Sequence, residues 1–158
     1  GDLLTGFFCA AGRFASGRSD FFCGHGCRLQ QAQIGMVALR QPAAGEFIVD
    51  DARRYVATTE RRFDAVVVDV YSSHTAIPGH LVTREFWSAT RRVLSADGVL
   101  LANLILDGKV ESAYARNLLA TVEAVYGRCA IDVLHKGKPI ANVVLSCFAS
   151  SQPSGSNF

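Results

Sequence analysis

Phe63-Asp64-Ala65-Val66-Val67-Val68-Asp69 is the stretch that decides the fold. Its central run of β-branched residues shows no alternation between an apolar and a polar side. It therefore describes a strand buried on both faces, and such strands belong to parallel sheets covered by helices. Asp69 stands where the run ends. A carboxylate there opens into the crevice beyond the carboxyl ends of the strands, where open α/β sheets bind their ligands. The candidate chemistry starts at Asp69, and Val70-Tyr71-Ser72-Ser73 follows it directly, with Ile77-Pro78 a little further on.

Downstream, Thr83 is placed to cap a helix with Glu85 in its first turn, where the helix dipole favours an acid. Phe86, Thr90, Val93 and Leu94 then share one face, with Trp87 beside them. Ala96-Asp97-Gly98 closes that element, and Val99-Leu100-Leu101-Ala102-Asn103-Leu104 reads as another apolar strand. A long helix is predicted from Val110 to Tyr126, with Val110, Tyr114, Leu118, Val122 and Val125 as its buried stripe. Ala130 to Leu134 and Ile140 to Phe148 read as two strands joined by His135-Lys136-Gly137-Lys138-Pro139. Upstream of the central strand, Phe47-Ile48-Val49 is a short strand. Asp50-Asp51 follows as the N-cap of a helix through Arg53, Tyr55, Val56 and Ala57. Strands alternating with helices and closing on a strand pair predict an α/β fold: a mostly parallel sheet with an antiparallel C-terminal edge strand.

The regular pattern covers residues 46–149, a single domain. Residues 1–45 mix Gly, Ser, Cys and Phe with no sustained period apart from a helix predicted from Arg28 to Leu39, and are expected to pack less well. The polar tail from Ser150 is expected to be disordered. A chain of 158 residues, 49% hydrophobic and 19% charged, supports one domain with a substantial core and not two. The net charge of +2, without a lysine/arginine block or an aromatic-basic stripe, argues against nucleic acid as a partner. No apolar stretch reaches the ~20 residues that a membrane-spanning helix needs. The start at Gly1, with no basic region before Leu3-Leu4, gives no support for a signal peptide and reads as a fragment whose true start is missing.

Cysteines at 9, 23, 27, 129 and 147, an odd number, do not suggest a disulfide framework, and a reducing cytoplasm fits them best. Cys23-Gly24-His25-Gly26-Cys27, with Cys9, contains metal-ligating groups. Zinc sites pair their cysteines with a second ligand pair downstream, and none follows. Unpaired thiols in a glycine-rich loop, and no metal, is the expectation. Ser72-Ser73 lacks the G-x-S-x-G elbow of a serine hydrolase.

Taken in order, Val49-Asp50-Asp51-Ala52, Phe63 to Asp69, Ile77-Pro78-Gly79-His80-Leu81-Val82-Thr83-Arg84-Glu85-Phe86-Trp87 and Leu94-Ser95-Ala96-Asp97-Gly98-Val99-Leu100 resemble the class I S-adenosylmethionine-dependent methyltransferase fold, and within it the spermidine synthase (polyamine aminopropyltransferase) family. The resemblance covers roughly residues 46 to 149. It implies a Rossmann-like sheet with helices on both faces, incomplete at its N-terminus. It also implies aminopropyl transfer from a decarboxylated S-adenosylmethionine-like donor to a polyamine. In the family an acidic-small pair holds the adenine side of the nucleoside, which falls on Asp51 and Ala52, and the acid/base carboxylate falls on Asp69. Tyr71 and Ser72 take the place of substrate-binding residues. The implied partners are a small amine and the nucleoside donor, with a homodimer as the assembly to test.

Two departures stand out. The glycine-rich loop after the family's first strand and the acidic residue ending its second have no counterpart in residues 1–45, Gly24-His25-Gly26 being too short a match. The second carboxylate that normally follows the catalytic strand is replaced by Tyr71-Ser72-Ser73-His74, as in divergent bacterial spermidine-synthase-like proteins. Two alternatives follow: a methyltransferase that uses S-adenosylmethionine itself, and a non-catalytic, truncated or degenerate copy of the domain. The chemistry required of Asp69 stands apart from any family. An alkylamine is protonated at neutral pH, so a site that makes it a nucleophile must take a proton and hold the nitrogen in line.

Overall fold

A computed structural model describes residues 5–11, 19–23, 46–71, 77, 79–134 and 136–150, with 5–11, 19–23, 46, 47, 49, 70 and 71 described in their backbone alone. The chain order is β1 (Thr5–Ala11), β2 (Ser19–Cys23), β3 (Glu46–Val49), α1 (Ala52–Thr58), β4 (Phe63–Tyr71), a 3₁₀ turn (Gly79–Leu81), α2 (Arg84–Arg92), β5 (Leu94–Leu106), α3 (Ala113–Tyr126), β6 (Ala130–Val133) and β7 (Ala141–Phe148). All seven strands join one sheet in the order β3-β2-β1-β4-β5-β7-β6. β4 runs parallel to β5, and β2 parallel to β3. β1 is antiparallel to both β2 and β4, and β7 is antiparallel to both β5 and β6. The sheet is therefore mixed. The antiparallel C-terminal strand is present one place in from the edge, which β6 occupies.

Alternation along the central strands assigns the two faces. Val66 and Val68 of β4, Leu100, Ala102, Leu104 and Leu106 of β5, and Val143, Leu145 and Cys147 of β7 are buried in one cluster with residues of α1, α2 and α3. Those helices lie side by side, α2 packing on both α1 and α3. Val67, Asp69, Leu101, Asn103 and Ile105 take the intervening positions and are half-buried on the opposite face.

The helix starts are fixed by their caps. Asp51 accepts the Arg54 N–H at 3.0 Å and Thr83 accepts the Phe86 N–H at 3.3 Å, each satisfying one of the amides that a helix N-terminus leaves unpaired. The α2 stripe is as the spacing predicts: Phe86, Trp87, Thr90, Val93 and Leu94 are all buried. Thr90 donates its hydroxyl hydrogen to the Trp87 carbonyl at 2.8 Å, so at the 2.9 Å contact with Tyr126 it is the Tyr126 hydroxyl that donates. Burial pushes that phenol well above its ordinary range, so it stays a donor. Arg91 and Arg92, at the end of α2, reach sideways. Arg91 binds the Val125 carbonyl in the last turn of α3, and Arg92 binds the carbonyls of Val56 and Thr59 at the end of α1. Both pairings put a cation where a helix dipole is negative.

The third helix departs from the sequence expectation. It begins at Ala113, capped by Ser112, and the buried stripe runs through Ala115, Leu118, Val122, Val125 and Tyr126, with Tyr114 49% exposed. The cause lies just upstream. Asp107 accepts the N–H groups of Glu111 and Ser112 at 2.9 and 3.1 Å, and its carboxyl is held far below the usual range, most of all by a hydrogen bond with the Ser112 side chain and then by the Glu111 N–H. This local turn, in which Val110 has a φ of 59°, competes with helix for residues 107–112.

Gly108 ties the same turn to the β6–β7 connection. Its N–H donates to the Lys138 carbonyl at 3.0 Å, and a Cβ on Gly108 would lie 2.5 Å from that oxygen. Gly108→Ala is expected to cost about 1–3 kcal/mol, the usual range for forcing extra atoms into a filled space. Denaturant unfolding monitored by circular dichroism measures it. A midpoint equal to that of the wild type would show that the connection yields without loss.

The cysteine expectation needs a correction. Cys129 and Cys147 form a disulfide with a Cα–Cα distance of 4.5 Å and a sequence separation of 18. The pairing of Ala130 with Ser146 places Cys129 directly across from Cys147, at the close spacing of a non-hydrogen-bonded antiparallel pair. Only the β6–β7 register creates that neighbourhood, so an odd cysteine count said nothing of it. Removing the bond with Cys129→Ala/Cys147→Ala is expected to cost roughly 2–4 kcal/mol through the freed unfolded chain. A double variant that unfolds at the same denaturant midpoint as the oxidised wild type would contradict this.

Candidate functional site

Strand register sets the site. Reading across the sheet, Val49 of β3 pairs with Cys23 of β2, Cys23 with Phe7 of β1, and Phe7 with Asp69 of β4. On the other side, Val68 pairs with Ala102, which brings Asp69 level with Asn103 of β5. The ends of β3, β4 and β5 thus share one rim of the sheet. Asp50 and Asp51 follow β3 at that rim, about 14 Å from Asp69 by three interstrand steps of ~4.8 Å.

Asp69 projects from the face opposite the helical layer and is half-buried. The Asn103 side-chain amide donates to its Oδ1 at 3.0 Å. Residues 79–82 run along the same rim, and the chain there is pinned to the core by Ile77 and Leu81, both buried.

Asp51 does two things at once. Oδ1 caps α1, and Oδ2 faces His80 Nε2 at 3.4 Å. Arg53 adds a bond to the His80 carbonyl at 3.3 Å, so the turn after β4 is stitched to the helix after β3. Asp50 N-terminal to it pairs with Arg54, whose hydrogen bond is the main reason that its carboxyl is held below its ordinary value. Ala52 is buried at 7% exposure, so its contribution to a ligand is confined to its backbone.

Of the residues singled out from sequence, Asp51, Ala52 and Asp69 are therefore assembled along one rim. Tyr71 ends β4, but its side chain, and all of Ser72, Ser73 and His74, lie outside the described residues, as do the side chains of Cys9, Cys23, His25 and Cys27. Among the described residues no group of three or more His, Cys, Asp or Glu side chains is arranged to hold a metal ion. No described helix is long and apolar enough to cross a membrane. A depression lined by Arg84, Ser88, Arg91, Arg92, Ala124 and Val125 lies on the outer side of α2 and α3, where Arg91 and Arg92 serve the helix ends.

Two site residues escaped the sequence reading. Asn103 was one polar residue in an apolar strand, and its signal was its parity: it occupies the same face as Asp69 on the adjoining strand. His80 stands in sequence only as one residue of the Ile77–Trp87 segment, and only the fold reveals Asp51 opposite it.

No protein-family model matches the chain. Among curated proteins it is 42% identical over 55 residues to polyamine aminopropyltransferase 1 of Pseudomonas aeruginosa, a match covering 34% of this chain and 18% of that protein. It is 36% identical over 74 residues to the polyamine aminopropyltransferase of Vibrio vulnificus, covering 43% of this chain and 24% of that one. Among solved structures, a probable spermidine synthase from Corynebacterium glutamicum aligns with a TM-score of 0.59 at 22% identity, over 82% of this chain and 47% of the other. A spermidine synthase in complex with the transition-state analogue AdoDATO aligns at 0.53 and 18%, over 80% and 40%. Human methyltransferase-like protein 13 in complex with SAH aligns at 0.58 and 20%, over 80% and 57%. The structural matches establish the fold, and the matched segments make up less than a quarter of the length of both curated relatives.

Proposed function

From a chain that is spermidine synthase-like in sequence and built on the class I methyltransferase fold, we propose aminopropyl transfer from a decarboxylated S-adenosylmethionine-like donor to a small amine, with Asp69 as the proton acceptor. The observation that carries the reading is the position of Asp69: a half-buried carboxylate near the carboxyl end of β4, a central strand parallel to β5, held through Oδ1 by Asn103. The relatives' names and the AdoDATO complex support the donor class.

The residues fit a nucleoside donor along the rim. Asp51 is a half-exposed acceptor at the end of β3, suited to an exocyclic amino group, and the backbone of Ala52 adjoins it. His80 already faces Oδ2 of Asp51, so the donor's adenine competes with or displaces that contact. The span from Asp51 to Asp69 accommodates the nucleoside with its sulfonium toward Asp69. There the carboxylate attracts the cationic donor and the cationic amine alike. The amine gives up a proton to Asp69, its lone pair attacks the methylene carbon beside sulfur, and the carbon–sulfur bond breaks to leave methylthioadenosine. Tyr71 and Ser72, which follow Asp69 in the chain, are proposed as the residues that bind the acceptor amine.

Methyl transfer is the second reading, favoured by the alignment with a human methyltransferase of the same fold. The two differ in whether the pocket admits the donor's carboxylate. Titrating methylthioadenosine into the purified chain by calorimetry tests the nucleoside site, and comparing decarboxylated with intact S-adenosylmethionine separates the readings. Absence of any nucleoside binding would leave the domain as a non-catalytic copy. The cytoplasmic setting expected from the cysteines sits against the Cys129–Cys147 bond, which reducing compartments rarely maintain; the burial of both cysteines, at 9% and 0% exposure, would slow its reduction.

A further inference from the structure

We infer that Asn103 is the positioning residue for the Asp69 carboxylate, a role that rests on the transfer reading above. Asparagine is disfavoured in strand interiors, and β5 is a 13-residue strand whose other residues on that face near Asn103 are Val99, Leu101 and Ile105. An amide in such a row loses free energy unless it is hydrogen-bonded. Its Nδ2 donates to Asp69 Oδ1 at 3.0 Å from a neighbouring strand whose register is fixed by parallel pairing from Ala65–Val99 to Val68–Ala102. Both ends of the bond therefore stand on rigid elements, and the carboxylate's plane is set before any substrate arrives. A base held this way presents its lone pairs to the amine in one orientation, which is the geometric requirement of in-line displacement. Leucine at 103 keeps the size and removes the donor.

Two measurements on the purified chain test this. In the first, the side-chain ¹⁵N–¹H resonances of Asn103 are followed by NMR as pH is lowered through the carboxylate range, in the wild type and in Asp69→Asn. A single step in the wild type that vanishes in the variant is expected; resonances that stay flat in the wild type overturn the inference. In the second, transfer from decarboxylated S-adenosylmethionine to putrescine is measured for the wild type and Asn103→Leu. The expected result is a fall in kcat of roughly 10- to 100-fold, the scale of one hydrogen bond to a charged group, with the melting temperature and the methylthioadenosine affinity unchanged. Wild-type kcat in Asn103→Leu overturns the positioning role while leaving the transfer reading intact. A wild-type chain that transfers nothing refutes the transfer reading instead, and the NMR step alone then decides whether Asn103 holds Asp69.

Discussion

Asp69→Asn is expected to lower aminopropyl transfer by roughly 10²–10⁴-fold, the range over which a positioned general base contributes. The substitution keeps the size of the side chain and leaves an oxygen able to accept from Asn103, so the strand and its neighbours have no reason to move. What disappears is the group that takes the proton, together with the negative charge that draws two cations to one place. The fall should appear in kcat at saturating amine, and raising the pH should recover part of it as solvent deprotonates the amine. Transfer within a few-fold of the wild type, with the amine's pH dependence unaltered, would make Asp69 a turn residue and remove the main support for an enzyme.

Trp87→Ala is expected to have the largest effect on stability, about 3–5 kcal/mol, as befits an aromatic removed from a filled core. Trp87 is fully buried, edge-on to Phe86 with ring centroids 5.1 Å apart, and lies where α2 meets the sheet. The indole Nε1 has no hydrogen-bond partner among the described residues although it is buried. Trp87→Phe therefore sheds an unsatisfied donor along with some volume, and should lose far less than Trp87→Ala. Urea unfolding followed by far-ultraviolet circular dichroism compares the two, since Trp87 is the chain's single tryptophan and the variants lose its fluorescence. Equal losses in both would show that the ring volume that phenylalanine retains contributes nothing at this site, and would overturn the expectation.

How much of this was legible in the sequence depended on how local the cause was. The β4 strand, the caps at Asp51 and Thr83, and the α2 stripe are each specified within a dozen residues, and they fall where periodicity and capping rules put them. The start of α3 was misread because Asp107 captures two backbone amides and delays the helix, a contest that apolar spacing does not register. Asp69 could be singled out as a candidate because a strand paired in parallel has one end at which a carboxylate opens into the crevice, and the register of β4 with β5 places it near that end. Asn103, His80 and the Cys129–Cys147 pair could not, since each acquires its meaning from a partner on another element, 34, 29 and 18 residues away in sequence. The strands in residues 1–45 were missed for a related reason: Thr5–Ala11 and Ser19–Cys23 are short apolar runs among glycines and serines, and they become strands by pairing with β4 and with each other.

The direction of β1 changes which part of the N-terminal chain is delivered to the rim. A strand accepts hydrogen bonds along both edges whichever way it runs, so a reversed β1 fills the seat beside β4 without disturbing the order of the sheet. Its exit is moved to the far side, however, because Ala11 lies against Ala65 while Thr5 lies against Tyr71. The connection leaving β1 thus departs from the end remote from Asp69. The strand that discharges at the rim is β2, whose last residue, Cys23, is level with Phe7 and Val49, and the next residues in the chain are Gly24-His25-Gly26. Of the two strand ends, it is the carboxyl end of the second and not of the first that lies level with Asp69, so a loop that follows the second strand in the chain starts from the candidate site's rim.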